Sequence, residues 1–465
     1  MERSRRGTLA SIAGVLALAG CGRPESAARD EQSTIGADMD DRTREILESS
    51  GPTVSAEELI ADYDADVYIL TRDEQFAAVD DTEEELLRAE NLGRAINQAQ
   101  ATLSDGRIIV AATGSLNVPI EQANGISIGG PDPRAILTPA DDVGESYEIY
   151  RVSAGTSGGQ FDSLGVDMQY KGGSAVHAEG SSDLAFDDVV IKNAGEHGVR
   201  LSDAESVEIR NSRVESTSKN AVSITGCSDV QIDACEVTGS NHAVYATNSS
   251  NVTLTDVTAR ETEYSAIAFQ DYTTNWEVTG CTAVDSASTP FAASTAINGS
   301  FVDCVAEGTT NANEGGFEVE YKADNDAENR QNPVVGCSVV SCTARDCNMG
   351  FYAREDDTKY DTGTPVLRPR FVDCTATGCD TGLFIGETVR EAVIENFDAV
   401  DCNTDIVDNG MRTIIDGRSE NEGDPSTEGE WFGHADSAAE LDVVVEDTQA
   451  GTRYKATAQG GWRAL

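Results

Sequence analysis

Positive charge is what this sequence has least of. Among 465 residues only 33 are Lys or Arg, against 82 Asp or Glu, for a formal net charge of −49, and just six of the cations are Lys. That balance argues against a nucleic-acid partner, which needs cations to neutralise phosphates. It matches the dense acidic shell that keeps a halophile's protein soluble. An anionic ligand is not excluded, because at about 1 M salt the screening length is about 3 Å. Long apolar runs are missing too: the one from Leu9 to Leu18 is too short to span a bilayer, and no later segment could cross one. Histidine is scarce, with four. The eleven cysteines contain no Cys-x-x-Cys pair, so nothing carries the usual zinc spacing.

What is present is a repeat. One apolar pattern recurs ten times, led by Phe161, Leu184, Val207, Val230, Val252, Trp276, Gly299, Cys337, Pro369 and Ala392, spaced 22 to 24 residues apart except for two steps of 38 and 32. From each leader, positions +2, +5 and +7 are again mostly apolar, as in Val230, Ile232, Cys235 and Val237. Alternation at +0 and +2 is strand periodicity, and the jump to +5 needs a tight corner at +4. Eight of the ten +4 residues are Gly, Asn or Asp, including Asp188, Asn211 and Gly280, the types that tolerate a left-handed backbone. A third stripe follows 14 to 18 residues after each leader, from Val176 through Ile267 and Phe317 to Ile406. Three short strands per turn of about 23 residues predict an all-β fold, a single-stranded parallel β-helix over 105–417.

The flanks read differently. Ser4-Arg5-Arg6-Gly7-Thr8-Leu9 resembles a twin-arginine export signal, and Leu18-Ala19-Gly20-Cys21 a lipobox, so residues 1–20 are expected to be removed and Cys21 lipidated. That anchors the protein to the outer face of the cell membrane through lipid alone. Residues 21–56 read as an acidic tether. Residues 57–104 hold a hairpin around Thr71-Arg72-Asp73-Glu74 and a helix over 82–103, with Leu86, Leu87, Ala95, Ile96 and Ala99 as its apolar side and Thr82 and Glu85 as a capping box. Residues 418–465 read as a linker and a closing β-hairpin ending at Trp462.

This order resembles secreted pectate-lyase-like right-handed parallel β-helix proteins, in which a helix caps the open end of the cylinder. The resemblance covers 62–415 and implies an extracellular polysaccharide as partner. Cysteines fall on rungs: Cys235, Cys281, Cys304, Cys342 and Cys374 at +5, and Cys347, Cys379 and Cys402 at +10, which favours stacked free thiols over disulfides or metal. Gly195-Glu196-His197-Gly198 lacks companion motifs, and His177, His242 and His434 show no evident partners. Sequons begin at Asn248, Asn251 and Asn298, as suits a glycosylated surface.

The two long steps carry about 15 and 9 extra residues, mainly 323–332 and 355–364, directly after third strands. Between these loops Phe317, Val319 and Tyr321 are expected to point inward, and Glu318, Glu320 and Lys322 outward. On the following coils Tyr352 and Arg354, then Phe384 and Glu387, are the outward candidates. The set is similar to calcium-dependent chondroitinase and alginate lyases. The resemblance implies Glu318 and Glu320 as ligands of Ca2+, Lys322 as base, Arg354 assisting the leaving oxygen, and Tyr352, Phe384 and Glu387 against the sugar. Lys322 follows Glu320 more closely than in that family, and the Asn completing the metal site has no counterpart. Three other readings stand beside it: a cross-strand charge ladder without chemistry, a hydrolase using Glu318 with Glu320 or Glu387, and a non-catalytic surface protein that binds sugar or serves as a stiff rod.

Overall fold

A computed structural model describes residues 55–131, 134–309, 314–321, 334–355 and 365–416, together with the backbone of the short strands 418–420, 444–447, 452–456 and 462–464. Its body is a parallel β-helix. Three sheets run its length, the second and third each with 12 strands, so the chain completes twelve coils. Two of these precede the first leader read from sequence, beginning with Gly106–Val110 and Ile126–Gly129.

The corners explain why the repeat folds this way. Nine of the ten +4 residues, from Asp188 to Asn396, have φ between 50° and 67°. The exception corrects the register: Phe161 pairs with Phe186, not with the leader Leu184, and the corner of that coil is Ser163 at φ 50°. The first repeat is thus two residues out of step. The third stripe lines up as expected, with Val176, Val199, Val222, Val244, Ile267, Phe291, Phe317, Phe351, Leu383 and Ile406 in successive pairs.

Inside, one continuous apolar core fills the prism. Trp276 lies over Gly299, where a Cβ would stand 1.9 Å from the indole, so the glycine makes room for the ring. Ten described cysteines are free thiols, all buried except Cys402, which is half-buried. At nearly every rung the thiol donates to the carbonyl two residues back, as from Cys304 to Val302 (3.2 Å) and from Cys342 to Val340 (3.3 Å).

At the N-terminal end, α1 (Ala56–Asp62) precedes an antiparallel meander of β1 (Val67–Arg72), β2 (Gln75–Val79) and β3 (Glu85–Ala89). β1 pairs in parallel with β4 (Gly106–Val110), so the meander extends the first sheet. The expected helix over 82–103 is shorter: α2 spans Leu92–Gln100 and starts at Asn91, while Leu86 and Leu87 belong to β3. The reason is local. The Asp80 carboxylate accepts from the N–H groups of Thr82 and Glu84 (both 2.9 Å), forming a turn in place of a Thr82–Glu85 capping box. A capping box does occur at Ser55 and Glu58, on α1.

α2 caps the third sheet through its amides. Asn97 donates to the Pro119 carbonyl and accepts from the Glu121 N–H, and Gln100 donates to the Glu121 carbonyl and accepts from the Ala123 N–H, at 2.8 to 3.0 Å. The edge strand Ile120–Glu121 therefore offers no unpaired backbone row at these positions. The C-terminal strands Val444–Asp447, Thr452–Ala456 and Trp462–Ala464 form a three-stranded antiparallel sheet, one strand more than the expected hairpin.

Candidate functional site

Strands Phe291–Ser294, Gly315–Tyr321 and Met349–Glu355 occupy successive coils of the third sheet. Phe291, Phe317 and Phe351 turn inward and stack, with centroids 4.7 and 5.0 Å apart and planes within 9°. That stack fixes the alternate residues outward. Two outward rows result, Ala292–Glu318–Tyr352–Phe384 and Ser294–Glu320–Arg354. The structure thus brings Glu318, Glu320, Tyr352, Arg354 and Phe384 together.

Outward does not mean wet here. Glu318 and Glu320 are 4% and 2% exposed and Tyr352 is 0% exposed, which corrects the expectation of a solvent-facing patch. Each polar group is satisfied within the cluster. The Tyr352 hydroxyl donates to Glu318 Oε2, and Ser294 donates to Glu318 Oε1 (2.7 Å). Thr289 donates to Glu314 Oε2 (3.0 Å), and its oxygen lies 2.9 Å from the Tyr352 hydroxyl. Gly315 makes the arrangement feasible, since a Cβ there would stand 2.5 Å from the Tyr352 ring. Burial, then the charges of Glu318, Glu320 and Glu314, push the Tyr352 phenol well above its ordinary value, so it stays protonated and can donate to Glu318.

Arg354 is held from two sides. Its Nε donates to Glu320 Oε1 (3.2 Å), and its guanidinium carbon lies 4.7 Å from the centre of the Tyr352 ring. Burial opposes its charge, but Tyr352, Glu320 and Glu318 outweigh that and keep it a cation. Its side chain is 28% exposed. Phe384 is half-buried and Glu387 exposed in the turn after Thr381–Ile385. Lys322 and Cys21 lie outside the described residues. Asn248, Asn251 and Asn298 are exposed, each at positive φ, and the Asn251 amide donates to Asp229 (2.9 Å).

Calcium needs six to eight oxygens at one point. Among the described residues no three His, Cys, Asp or Glu side chains converge as a metal site. Glu318 already takes two hydroxyl donors and Glu320 a guanidinium. The described donors do not fit a calcium centre.

Sequence reasoning missed one dyad. On the same face, nearer the N-terminal end, His177 Nδ1 lies 2.9 Å from Glu148 Oε1, and Arg151 Nε donates to Glu148 Oε2 (2.8 Å). Arg151, His177 and Arg200 form one outward row. The apolar repeat is legible only from Phe161 onward, so the coil holding Glu148 has no register in sequence to reveal the contact.

Residues 174–338 match the family model described as "Right handed beta helix region". The chain carries a right-handed β-helix. Among solved structures it is similar to the catalytic unit of an alpha-1,3-glucanase from Streptomyces thermodiastaticus, at 13% identity and TM-score 0.56 over 80% of this chain and 71% of that one. It is also similar to the pre-mature bacteriophage phi29 gene product 12, at 13% identity and TM-score 0.52 over 71% and 55%. A third likeness is to endo-xylogalacturonan hydrolase from Aspergillus tubingensis, at 16% identity and TM-score 0.49 over 71% and 96%. At these identities the likeness is one of fold. No match was found among curated proteins.

Proposed function

We propose that this right-handed β-helix protein is exported, held at the outer membrane face by lipid on Cys21, and acts on an extracellular acidic polysaccharide at the Arg354 cluster by β-elimination. The observation that carries the reading is the presentation of one guanidinium, backed by Glu320 and the Tyr352 ring, at the point where the two longest insertions leave the solenoid. A right-handed β-helix also carries the catalytic unit of an alpha-1,3-glucanase, so the scaffold is compatible with work on a glycan.

In this reading the Arg354 nitrogens take a uronate carboxylate in a charge-assisted pair. Neutralising that carboxylate acidifies the adjacent C–H. Lys322, as the free amine, removes the proton; the C–H electron pair becomes a carbon–carbon double bond; the bond to the glycosidic oxygen breaks, and water protonates that oxygen. Tyr352, Glu318, Thr289 and Ser294 position Arg354 and do not touch the sugar. Phe384 extends the patch by one coil, and Glu387 lies at its rim. No step runs through calcium.

A second reading, binding without cleavage, is favoured by the mutual satisfaction of the buried cluster. Absorbance near the ultraviolet edge separates the two when uronate polymers are mixed with the protein. New unsaturated ends, lost in Arg354→Gln and Lys322→Met, establish elimination. Reducing ends without unsaturation would transfer the chemistry to the carboxylates, and polymer retention without new ends would leave a binding protein.

A further inference from the structure

Where the chain turns into the third sheet, register stacks four dipeptides: Glu196-His197, Lys219-Asn220, Asn241-His242 and Tyr264-Ser265. The outward row just after this corner is Arg200, Ser223, Tyr245 and Ala268. The His242 ring lies 4.9 Å from Tyr245 and 5.6 Å from Tyr264, with planes 33° and 23° apart. These rings are fixed in advance. His242 Nδ1 lies 2.8 Å from the Ser265 carbonyl and so carries the proton, the Tyr245 hydroxyl donates to Gln270 (3.0 Å), and the Tyr264 N–H donates to the Asn241 carbonyl (2.8 Å).

Two features go beyond what inter-coil stacking needs. Tyr264 remains 51% exposed, and next to it in the chain Glu263 helps line a shallow depression of about 350 Å³ with Ser218, Ser240, Asn241, Glu261 and Asp285, whose hydroxyl, amide and carboxylate groups suit sugar hydroxyls rather than a sugar carboxylate. Arg200, two coils from Tyr245 and therefore about 10 Å along the row, is exposed and makes no hydrogen bond or close ion pair among the described residues, although its charge reaches Glu196 and His197 on its own coil. Most of the described arginines, Arg88, Arg151, Arg213 and Arg368 among them, pair with carboxylates in this acidic chain, whereas Arg94, Arg260 and Arg345 resemble Arg200 in having no such pair among the described residues. A guanidinium without a hydrogen-bonded carboxylate, about 10 Å along the row from a fixed aromatic stack, can meet a carboxylate of a sugar chain that lies along the row.

We propose that this corner is a binding subsite for a carboxylated oligosaccharide, with sugar rings on the Tyr264–His242–Tyr245 stack and a carboxylate on Arg200. The proposal rests on the reading of the protein as directed at acidic polysaccharide and adds a part of the surface that does no chemistry. Rings held before binding lose little freedom on contact, so each contributes nearly its full contact energy.

The test is calorimetric titration of the full chain with a galacturonate octamer and with its methyl-esterified form. Tyr264→Ala should weaken octamer binding about tenfold, and Tyr264→Phe, which keeps the ring, should bind like the wild type. Arg200→Gln should weaken octamer binding about fivefold at low salt and leave the methyl-esterified form unaffected. Octamer binding unchanged in both Tyr264→Ala and Arg200→Gln overturns the subsite and leaves the elimination reading intact. Weakened binding in these variants from a wild type that creates no unsaturated ends sustains the subsite and removes elimination. Absence of wild-type binding to either probe overturns the subsite together with the reading beneath it.

Discussion

Two arginine–glutamate pairs face outward on the third sheet, and the same chemistry ends in different surroundings. Arg151 pairs with Glu121 across the strands near the N-terminal end, where the two are 40% and 46% exposed, and also with Glu148, which is 14% exposed. Arg354 pairs with Glu320, which is 2% exposed, where the coils lengthen. Strand alternation sets the direction of a side chain in both places, but it does not set its access to solvent. The sheet supplies identical geometry to a surface ion pair and to a buried one, so their energies should separate sharply.

The largest expected effect comes from Arg354→Ala, which strips a nearly dry Glu320 of its guanidinium; unfolding free energy should fall by about 3 kcal/mol. Guanidinium denaturation measures it, and a loss below about 1 kcal/mol would erase the contrast between the two ends. Next is Tyr352→Phe, which removes the donor to Glu318 and should cost about 1–3 kcal/mol, read as a lower melting temperature.

Acid titration sharpens the comparison through two carboxylates with opposite signs. Burial raises the pKa of Glu148, but the hydrogen bonds from His177 and Arg151 outweigh it and hold the carboxyl below its ordinary value. Its contribution to stability is therefore present above the unfolded value of about 4.3 and is lost as pH falls through the lower folded value. Glu148→Gln should flatten that acid limb. Asp162 is raised by burial, with Asp187 and Asp188 adding to burial and Arg107 opposing it. Its contribution is complete below about 3.9 and is lost as pH rises through the folded value. Asp162→Asn should thus be at least as stable as the wild type at neutral pH; a clear loss in denaturant midpoint there would contradict this. The smallest effect is Arg151→Ala, expected below about 1 kcal/mol and gone in 1 M salt, checked by paired melts at low and high salt.

Much of the solenoid was legible because each coil repeats the same physical problem. Positive-φ corners demand Asp, Asn or Gly, and the inward positions demand apolar side chains, so Asp256 and Val278 announce their places. Ser163 escaped because its own repeat is two residues out of step. Leu86 and Leu87 misled because an apolar pair suits either a helix stripe or a strand, and the Asp80 turn that decides between them is a side-chain event. At the candidate site, alternation grouped Glu318, Glu320, Tyr352 and Arg354 correctly. Their burial and the Thr289–Glu314 support were not legible, because they depend on contacts across coils 25 to 63 residues apart in sequence.

Whole-coil register gives the molecule a vernier. Ile267 and Phe291 occupy equivalent places, so excising residues 267–290 would seat Phe291 where Ile267 stood. The aromatic corner and Arg354 would then draw closer by about 4.8 Å, one coil rise, with their rows still in line. Distance between the two patches is thus counted in integers, and chains trimmed or grown by single coils would move them together or apart in steps of one coil rise.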